Sequence, residues 1–566
     1  MSHIWQQPKP VDNKIIEKYP ELHPTVAQLL YNRGIDTQEK IDEFLMPDYS
    51  QDIHDPFLFK DMTKACERIY QAIDKKELIT VYGDYDADGV SAAVILKTGL
   101  ENLGAKVEAY LPHREKEGYG LNKKAVEKLA SNKTKLIITC DCGISNTEEV
   151  DLANEKGLDV IITDHHTVPD NLPKAMAIIH PQVYDSYPFK FLAGGAVAFK
   201  LVQGLIKHKS SALSDKDKES HEKWLLDLVA ISLVADMVPL IGENRTLLKY
   251  GLIVLKKTQR IGLQKLMEVA NLSADKVDTR SIGFSIAPRI NAAGRMDHAN
   301  LAFYLLTEPD ADKAQELAVE LNQSNIDRQK VTEKIVRQAD AQEVSDKESL
   351  LFFYQSDWAA GLTGLVASRL VRKHARPCIV MTDSESGDVV GSGRSIPAFN
   401  IVESLQANAD LLLRFGGHPQ ACGFSISKDN KDKFISNMQK RANEQLHGVE
   451  FLTKLEIEIV INFKDISWEI VDLLDKFKPF GQGNAEPLFM STDLLVTAAR
   501  KVGNDAKHWK LELVKDNKKR DAIAFGLGNV DLEIGDKIDV VYNLSINQWN
   551  GNREIQLIIK DIKKDA

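Results

Sequence analysis

From residue 77 the chain repeats one unit, a short and almost wholly apolar run followed by an amphipathic stretch with helical spacing. "ELITVYG" reads as a strand, "GVSAAVILKTGLENLG" as a helix and "KVEAYLP" as a strand. "NKKAVEKLASN" is helical, "KLIITCDCG" a strand, "NTEEVDLANEKG" a helix, and "LDVIITDHH" and "AMAIIHP" supply two more strands. Strands that are apolar throughout must be covered on both faces, and helices between them supply the cover. The pattern therefore predicts a buried parallel sheet in an α/β fold. In such sheets ligands bind beyond the carboxyl ends of the strands.

That rule organises the polar residues. Asp84, Asp86 and Asp88 follow the first strand in "VYGDYDADGVSA", Asp141 follows "LIITC", and Asp164, His165 and His166 follow "DVIIT". A further acid, Asp236, ends the apolar segment "LLDLVAISLVADMVPL". Each alone is an ordinary turn or cap residue. Together they place carboxylates and imidazoles at one end of one sheet, where like charges repel unless a cation neutralises them. Oxygen and nitrogen donors without thiolates suit Mn²⁺ or Mg²⁺ better than structural zinc. So many carboxylates suggest two ions, the arrangement that clamps both oxygens of a phosphoryl displacement. Cys140 and Cys142 form a C-x-C pair with no second close pair, which is poor zinc spacing. No Ser or Cys sits in a plausible triad, so direct hydrolysis without a covalent intermediate is expected.

Composition limits the alternatives. At 566 residues the chain has room for three or four domains, and its formal net charge of −10 excludes a global basic field. Any nucleic-acid site must therefore be a local basic patch. Five scattered cysteines do not make a disulfide framework. No apolar run approaches a membrane span, and the N-terminus lacks a basic-then-apolar signal pattern, so a cytoplasmic protein is expected.

"GDYDADG", "TCDCG", "TDHH" and "LVADMVPL", in that order, resemble the four motifs of the DHH phosphoesterase superfamily. "PRINAAGRMDHA", "GLTGLVASRL", "GSGRSIPAFNI", "GGHPQACGFSI", "FKPFGQGNAEPLF" and "INQWNGNREIQL" extend the resemblance to the bacterial RecJ family of single-strand-specific exonucleases. It covers nearly the whole chain, from "LLYNRGI" onward. The resemblance implies that Asp86, Asp88, Asp141, His165 and Asp236 are metal ligands, Asp141 bridging two ions. Asp84 is implied as a ligand or a partner of one, and His166 as facing the scissile phosphate. It also implies phosphate contacts at Ser392, Arg394 and His418, in the motifs that carry Gly416 and Gly417. Arg114, Arg289, Asn291 and Arg295 are candidates to line the passage between two lobes and contact DNA, surface ion pairs being the alternative for the arginines. Two positions depart from the family pattern. Tyr82 stands where the wider superfamily often has a second-ion histidine, and Ala359 in "DWAAG" stands where Trp-His-x-Gly is common.

The expected organisation is a helical segment at 1–75 packed on the catalytic domain, and a DHH catalytic domain at 76–310. A connecting helix at 311–344, a DHH-associated domain at 345–450 and an OB-like β-barrel at 451–566 follow. The charged, Gly- and Pro-free run 311–344 is strongly helical by propensity, and could bridge two lobes or pack as an ordinary helix. The glycines of "GSGRS" and "FGGHPQACG" would let backbone amides approach phosphate. From residue 455 the pattern turns all-β, "LEIEIVINF" to "EIQLIIKDI", with a "WNGN" hairpin turn. There Lys507, Trp509, Lys510 and Trp549 are candidates for single-strand contact, core packing being the alternative for each tryptophan.

The leading reading is a metal-dependent 5′→3′ exonuclease that degrades single-stranded DNA to mononucleotides in repair and recombination. The expected enzyme is a monomer acting on a 5′ end, with a helicase and a single-strand-binding protein as partners. One alternative is a DHH phosphodiesterase of short oligonucleotides or cyclic dinucleotides, which would not need a strand-tracking barrel. The other is a non-catalytic DNA-binding scaffold, which would be expected to lose the metal ligands kept here.

Overall fold

In the computed structural model of the chain, described for residues 3–564 except 12, 115, 297–298, 346 and 550 and except the side chains of 13–15, 504 and 549, five parallel strands form the first sheet. Their order across the sheet is Lys106–Tyr110, Leu78–Gly83, Thr134–Cys140, Asp159–Thr163 and Ala177–Ile179. Alternate side chains enter two separate cores. Ile79, Val81, Leu136, Ile138 and Ile161 pack beneath Ala87–Asn102, Gly194–Lys207 and Leu226–Ala235. Tyr82, Ile137, Val160 and Ile162 pack beneath Lys123–Ser131 and Thr147–Glu155. This is why the strands read as continuously apolar. The strand order reverses between Leu78–Gly83 and Thr134–Cys140, and the crevice at such a reversal is where a doubly wound sheet binds its ligand.

The predicted connector is one helix, Ala311–Asp340, about 45 Å long by the α-helical rise. Asp310 caps it by accepting from the amides of Asp312 and Lys313. Ala314, Ala318 and Leu321 enter the first core, whereas Ile335 and Ala339 enter a different one built around Phe353, Trp358 and Val366. One helix is thus anchored in two cores. The second of these belongs to a mixed five-stranded sheet in the order Leu412–His418, Ala421–Ile426, Val389–Arg394, Cys378–Asp383 and Leu351–Tyr354. The C-terminal strands Phe489–Val502, His508–Lys515, Lys518–Ala524, Asn552–Lys564 and Lys537–Trp549 close on themselves, because Phe489–Val502 pairs with both His508–Lys515 and Lys537–Trp549. The closed five-stranded barrel is the OB architecture expected.

The expectation that residues 1–75 pack on the catalytic unit needs correction. Met62–Asp74 does so, through Met62, Ala65, Cys66 and Ile69. Tyr19, Val26, Leu29, Leu30, Ile41 and Phe44 instead join the barrel's core beside Ile459, Phe463 and Phe477. Ile4–Gln6 also pairs in parallel with Lys454–Glu456. An amphipathic helix shows which face is apolar but not which core will cover it, so the sequence could not separate the two destinations. Arg245, fully buried in Gly242–Leu255, joins the parts by donating to the carbonyls of Phe44, Lys476, Phe477 and Lys478.

Candidate metal centre

The loop after Leu78–Gly83 folds tightly because the following helix uses Asp86 as its N-cap. One oxygen of Asp86 accepts from the amides of Asp88 at 2.9 Å and Gly89 at 3.1 Å. Gly89 is required there, since a Cβ would lie 2.6 Å from the Cβ of Asp84. Asp88 is buried and accepts from the amides of Gly194 and Gly195 at 2.7 and 2.8 Å, at the N-terminus of Gly194–Lys207. A Cβ at Gly194 would lie 2.6 Å from an oxygen of Asp141, so the helix comes close only because that residue is glycine. Asp141 itself takes a left-handed backbone, φ 60°, donating its amide to Thr163 across the sheet. Asp236 caps the C-terminal end of Leu226–Ala235.

These elements bring the predicted ligands together. His165 Nε2 lies 3.0 Å from Asp141, 3.6 Å from Asp236 and 3.8 Å from Asp88. Three overlapping groups each have ligand atoms within 4.8 Å of one another: Asp84, Asp86 and Asp141; Asp88, His165 and Asp236; and Asp141, His165 and His166. Burial first, and then neighbouring carboxylates, push the carboxyls of Asp84, Asp86 and Asp141 above their ordinary range. The same two causes, with Asp88 and Asp86 as the charges, push Asp236 up to about 9. One oxygen of Asp84 is buried with no hydrogen-bond donor. An all-oxygen-and-imidazole set, overcharged and partly unsatisfied, fits hard divalent cations. Cys140 and Cys142 are buried thiols that burial pushes well above their ordinary range, which does not suit them as ligands.

Two further residues frame the site: Asp164, noted in the sequence only as the acid before the two histidines, and Tyr119, which the sequence did not single out. Burial works to raise Asp164, yet the hydrogen bond and charge of His166 and the amide of Ile144 outweigh it and hold the acid at about 2. Burial opposes a cationic His166, but Asp164, 2.8 Å away, with Asp236 and Asp88, pushes it up to about 9. Tyr119 meets His166 Nδ1 at 3.0 Å and donates to the Asp141 carbonyl at 3.0 Å. Asp164 was visible in "TDHH" as the residue before the histidines; Tyr119, five residues after Arg114, carried no signal of its own. Tyr82 holds no ligand position: its ring stacks on Tyr110 and its hydroxyl donates to the Gly120 carbonyl.

Across the crevice the predicted arginines converge. Asn291 accepts from the Ala87 amide at 2.7 Å, fixing Ala287–Met296 against the aspartate loop. Arg295 on that helix donates to the Gly361 carbonyl of the second lobe, beside exposed Ala359. Burial, and then Arg114, Arg328 and Arg394 around it, lower the Arg295 guanidinium to about 9. Arg114 also lies over the ring of Tyr85, 4.9 Å from its centroid. Among the described residues none of these four arginines has a carboxylate within 4 Å. Arg328, on the connecting helix, was hidden in a run of ordinary surface charges. Arg289 donates to Asn322 and to the Ser285 carbonyl.

Register unites the two glycine-rich motifs. Gly416, Gly417 and His418 lie opposite Gly423, Cys422 and Ala421, which lie opposite Ser392, Gly393 and Arg394. His418 is therefore two strands from Arg394, roughly 10 Å at ordinary strand spacing. The Ser392 hydroxyl accepts from Thr363 at 2.9 Å. In the barrel, Trp509 is 7% exposed and donates its indole N–H to the Val530 carbonyl. Of the two readings of Trp509, single-strand contact and core packing, the structure shows core packing, since its strand position faces the barrel interior. Phe525, edge-on to His508 at 5.3 Å, is an exposed aromatic there, close to Lys507 and Lys510. The side chain of Trp549 lies outside the described residues.

Residues 78–233 match the model of the DHH family N-terminal domain, 347–444 the DHHA1 domain and 457–561 the RecJ OB domain. The chain is 38% identical to the single-stranded-DNA-specific exonuclease RecJ of Bacillus subtilis over 98% of its own length and 70% of that protein. The crystal structure of Thermus thermophilus RecJ in complex with Mn²⁺ superposes with a TM-score of 0.84 at 28% identity, covering 100% of this chain and 80% of that one. The Mg²⁺ complex of the same protein gives 0.79 at 27% identity, with 100% and 79% covered. Motif order, the closed barrel and the acid–histidine crevice all agree with those matches, and the chain belongs to the RecJ family of single-stranded-DNA-specific exonucleases.

Proposed function

We propose that this single-stranded-DNA-specific exonuclease grips a 5′-terminal phosphate and hydrolyses the strand in the 5′→3′ direction to mononucleotides, using Mn²⁺ or Mg²⁺. The observation that carries the reading is an overcharged acid–histidine cluster beside Arg114, Arg295 and Arg394, none of which has a carboxylate within 4 Å among the described residues. Asp84, Asp86, Asp88, Asp141, His165 and Asp236 would hold the cations, and the three overlapping ligand groups favour two of them. Such ions activate water and neutralise the charge that develops on the phosphoryl group. His166, pushed up to about 9 and hydrogen-bonded to Asp164 and Tyr119, would give a hydrogen bond to a phosphate oxygen, which its cationic form supports. Arg114, Arg295 and Arg394 would supply forked donors, and Ser392 a hydroxyl, for a dianionic terminus, with the Gly416–His418 strand two strands from Ser392 and Arg394 in register. A diester inside the strand carries one charge fewer, so the same donors favour the end.

The division of labour follows the expected boundaries: catalysis in 76–310, the 311–344 helix as a brace, end recognition in 345–450 and strand capture in 451–566. Lys507, Lys510 and Phe525 are the barrel residues assigned to capture. We extend the reading to a cytoplasmic monomer in repair and recombination that takes strands opened by a helicase and covered by a single-strand-binding protein. Equal molar strands of a 3′-labelled 40-mer, single or annealed to its complement, test the proposal with Mn²⁺, Mg²⁺ or EDTA. Shortening of the single strand alone, and only with metal, is expected; equal attack on the duplex or activity in EDTA would overturn it.

A further inference from the structure

The helical run that ends at the arginine crevice begins with a wider turn. Ile282–Ile286 is π-helical, its winding closed by the Ala287 amide on the Ile282 carbonyl, and it continues directly into Ala287–Met296. Single π-turns are uncommon and concentrate at functional sites. Here the turn buries Ile282 and Ile286 while leaving Phe284 75% exposed, among the most exposed large apolar side chains described. A lone exposed apolar residue is unremarkable by itself, so its surroundings decide.

Those surroundings form a track. At the start of the run, the Thr279 hydroxyl donates to the Phe480 carbonyl, in the segment that leads into the barrel. At the far end Asn291 touches the aspartate loop and Arg295 the second lobe. Between them, Arg289 reaches back and donates to the Ser285 carbonyl at 2.8 Å, which sets its guanidinium one residue from Phe284. Among the described residues Arg289 has neutral partners, Asn322 and that carbonyl, and no carboxylate, so its charge is left for an anion. Gly283 lies against Val234, so the turn is also packed on the helix that presents Asp236. An exposed aromatic ring and, five residues along the same run, a guanidinium with no carboxylate partner among the described residues match what a nucleotide in a single strand offers, one flat base and one phosphate.

We infer that Phe284 and Arg289 form an outer nucleotide subsite, where a base downstream of the scissile bond stacks on the ring while a phosphate meets the guanidinium. The inference rests on the proposed exonuclease reading, and adds a contact between barrel and crevice. Spacing along the run puts Phe284 about 10 Å from Asn291 by helical rise, so only strands longer than the crevice engage it.

The test is fluorescence anisotropy of 3′-labelled dT20 and dT4 with the full chain in EDTA, for wild type, Phe284→Ala and Phe284→Trp. Loss of one base stack should weaken dT20 binding about tenfold and lower the ratio of dT20 to dT4 affinity by a similar factor. Tryptophan should restore both. Tyr304→Ala, which removes an exposed aromatic on Asn300–Thr307, should leave the affinities unchanged. An unchanged dT20 affinity in Phe284→Ala, an equal loss on dT4, or no rescue by tryptophan would overturn the subsite. If wild type itself neither binds nor cleaves single strands, the functional reading fails instead, and the two failures are distinguishable.

Discussion

Replacing Asp236 by asparagine should stabilise the metal-free protein and make it the less stable form once Mn²⁺ is added. Burial, and then the charges of Asp88 and Asp86, raise the Asp236 carboxyl from 3.8 to about 9. A carboxyl whose pKa rises on folding binds more protons folded than unfolded between those values. Stability therefore falls as pH rises through that window. At pH 7 the gap from 3.8 is about three units, which caps the cost at about 4 kcal/mol. An amide keeps part of the burial penalty, so we take roughly half, about 2 kcal/mol, corresponding to a rise in Tm of about 4–8 °C for a unit of this size. Near pH 4 most of the advantage should vanish, because the unfolded carboxyl, at 3.8, is then approaching half protonation. Saturating Mn²⁺ should reverse the order, since a ligand bound only by the folded state adds about 2.7 kcal/mol at a hundred times its Kd, and the variant lacks one donor. The assay is thermal unfolding of both proteins in EDTA and in Mn²⁺ at pH 4, 7 and 8. A variant less stable than wild type in EDTA at pH 7, or equal stabilisation of both by Mn²⁺, would refute the reasoning.

Asp141→Ala should reduce cleavage by at least about a hundredfold without unfolding the protein, by analogy with removal of other positioned electrostatic groups; single-turnover rates alongside circular dichroism check this. Arg394→Ala should narrow the preference for 5′-phosphoryl over 5′-hydroxyl strands while cleavage persists, read from paired rate measurements. Phe525→Ala should weaken binding of long single strands about tenfold, whereas Trp509→Ala, which empties part of the barrel core, should chiefly lower Tm, by about 3–5 kcal/mol of stability.

Much of the site could be read from the strand–helix alternation, because a parallel sheet has only one end at which its ligands gather. Asp86, Asp141 and His165 meet there as the carboxyl-end rule requires. What stayed hidden depends on packing partners rather than on periodicity. Trp509 sits in a strand whose inward and outward faces are assigned only when the barrel closes. Tyr19 to Phe44 show an apolar stripe that either of two cores could cover. Arg328 looks like any other surface charge of Ala311–Asp340 until the second lobe brings Arg369 beside it. Phe284 lies in a segment whose apolar residues suggest burial throughout, and the π-turn that turns the ring outward has no sequence marker.

The central claim is that the acid–histidine crevice consumes a single strand from its 5′ end. Its most direct test follows a 40-mer carrying ³²P on its 5′ phosphate, with enzyme in excess and Mn²⁺ present. Label should appear as mononucleotide in the first turnover, before the strand has shortened appreciably. Label retained on progressively shorter strands, or released first in oligonucleotides, would contradict it.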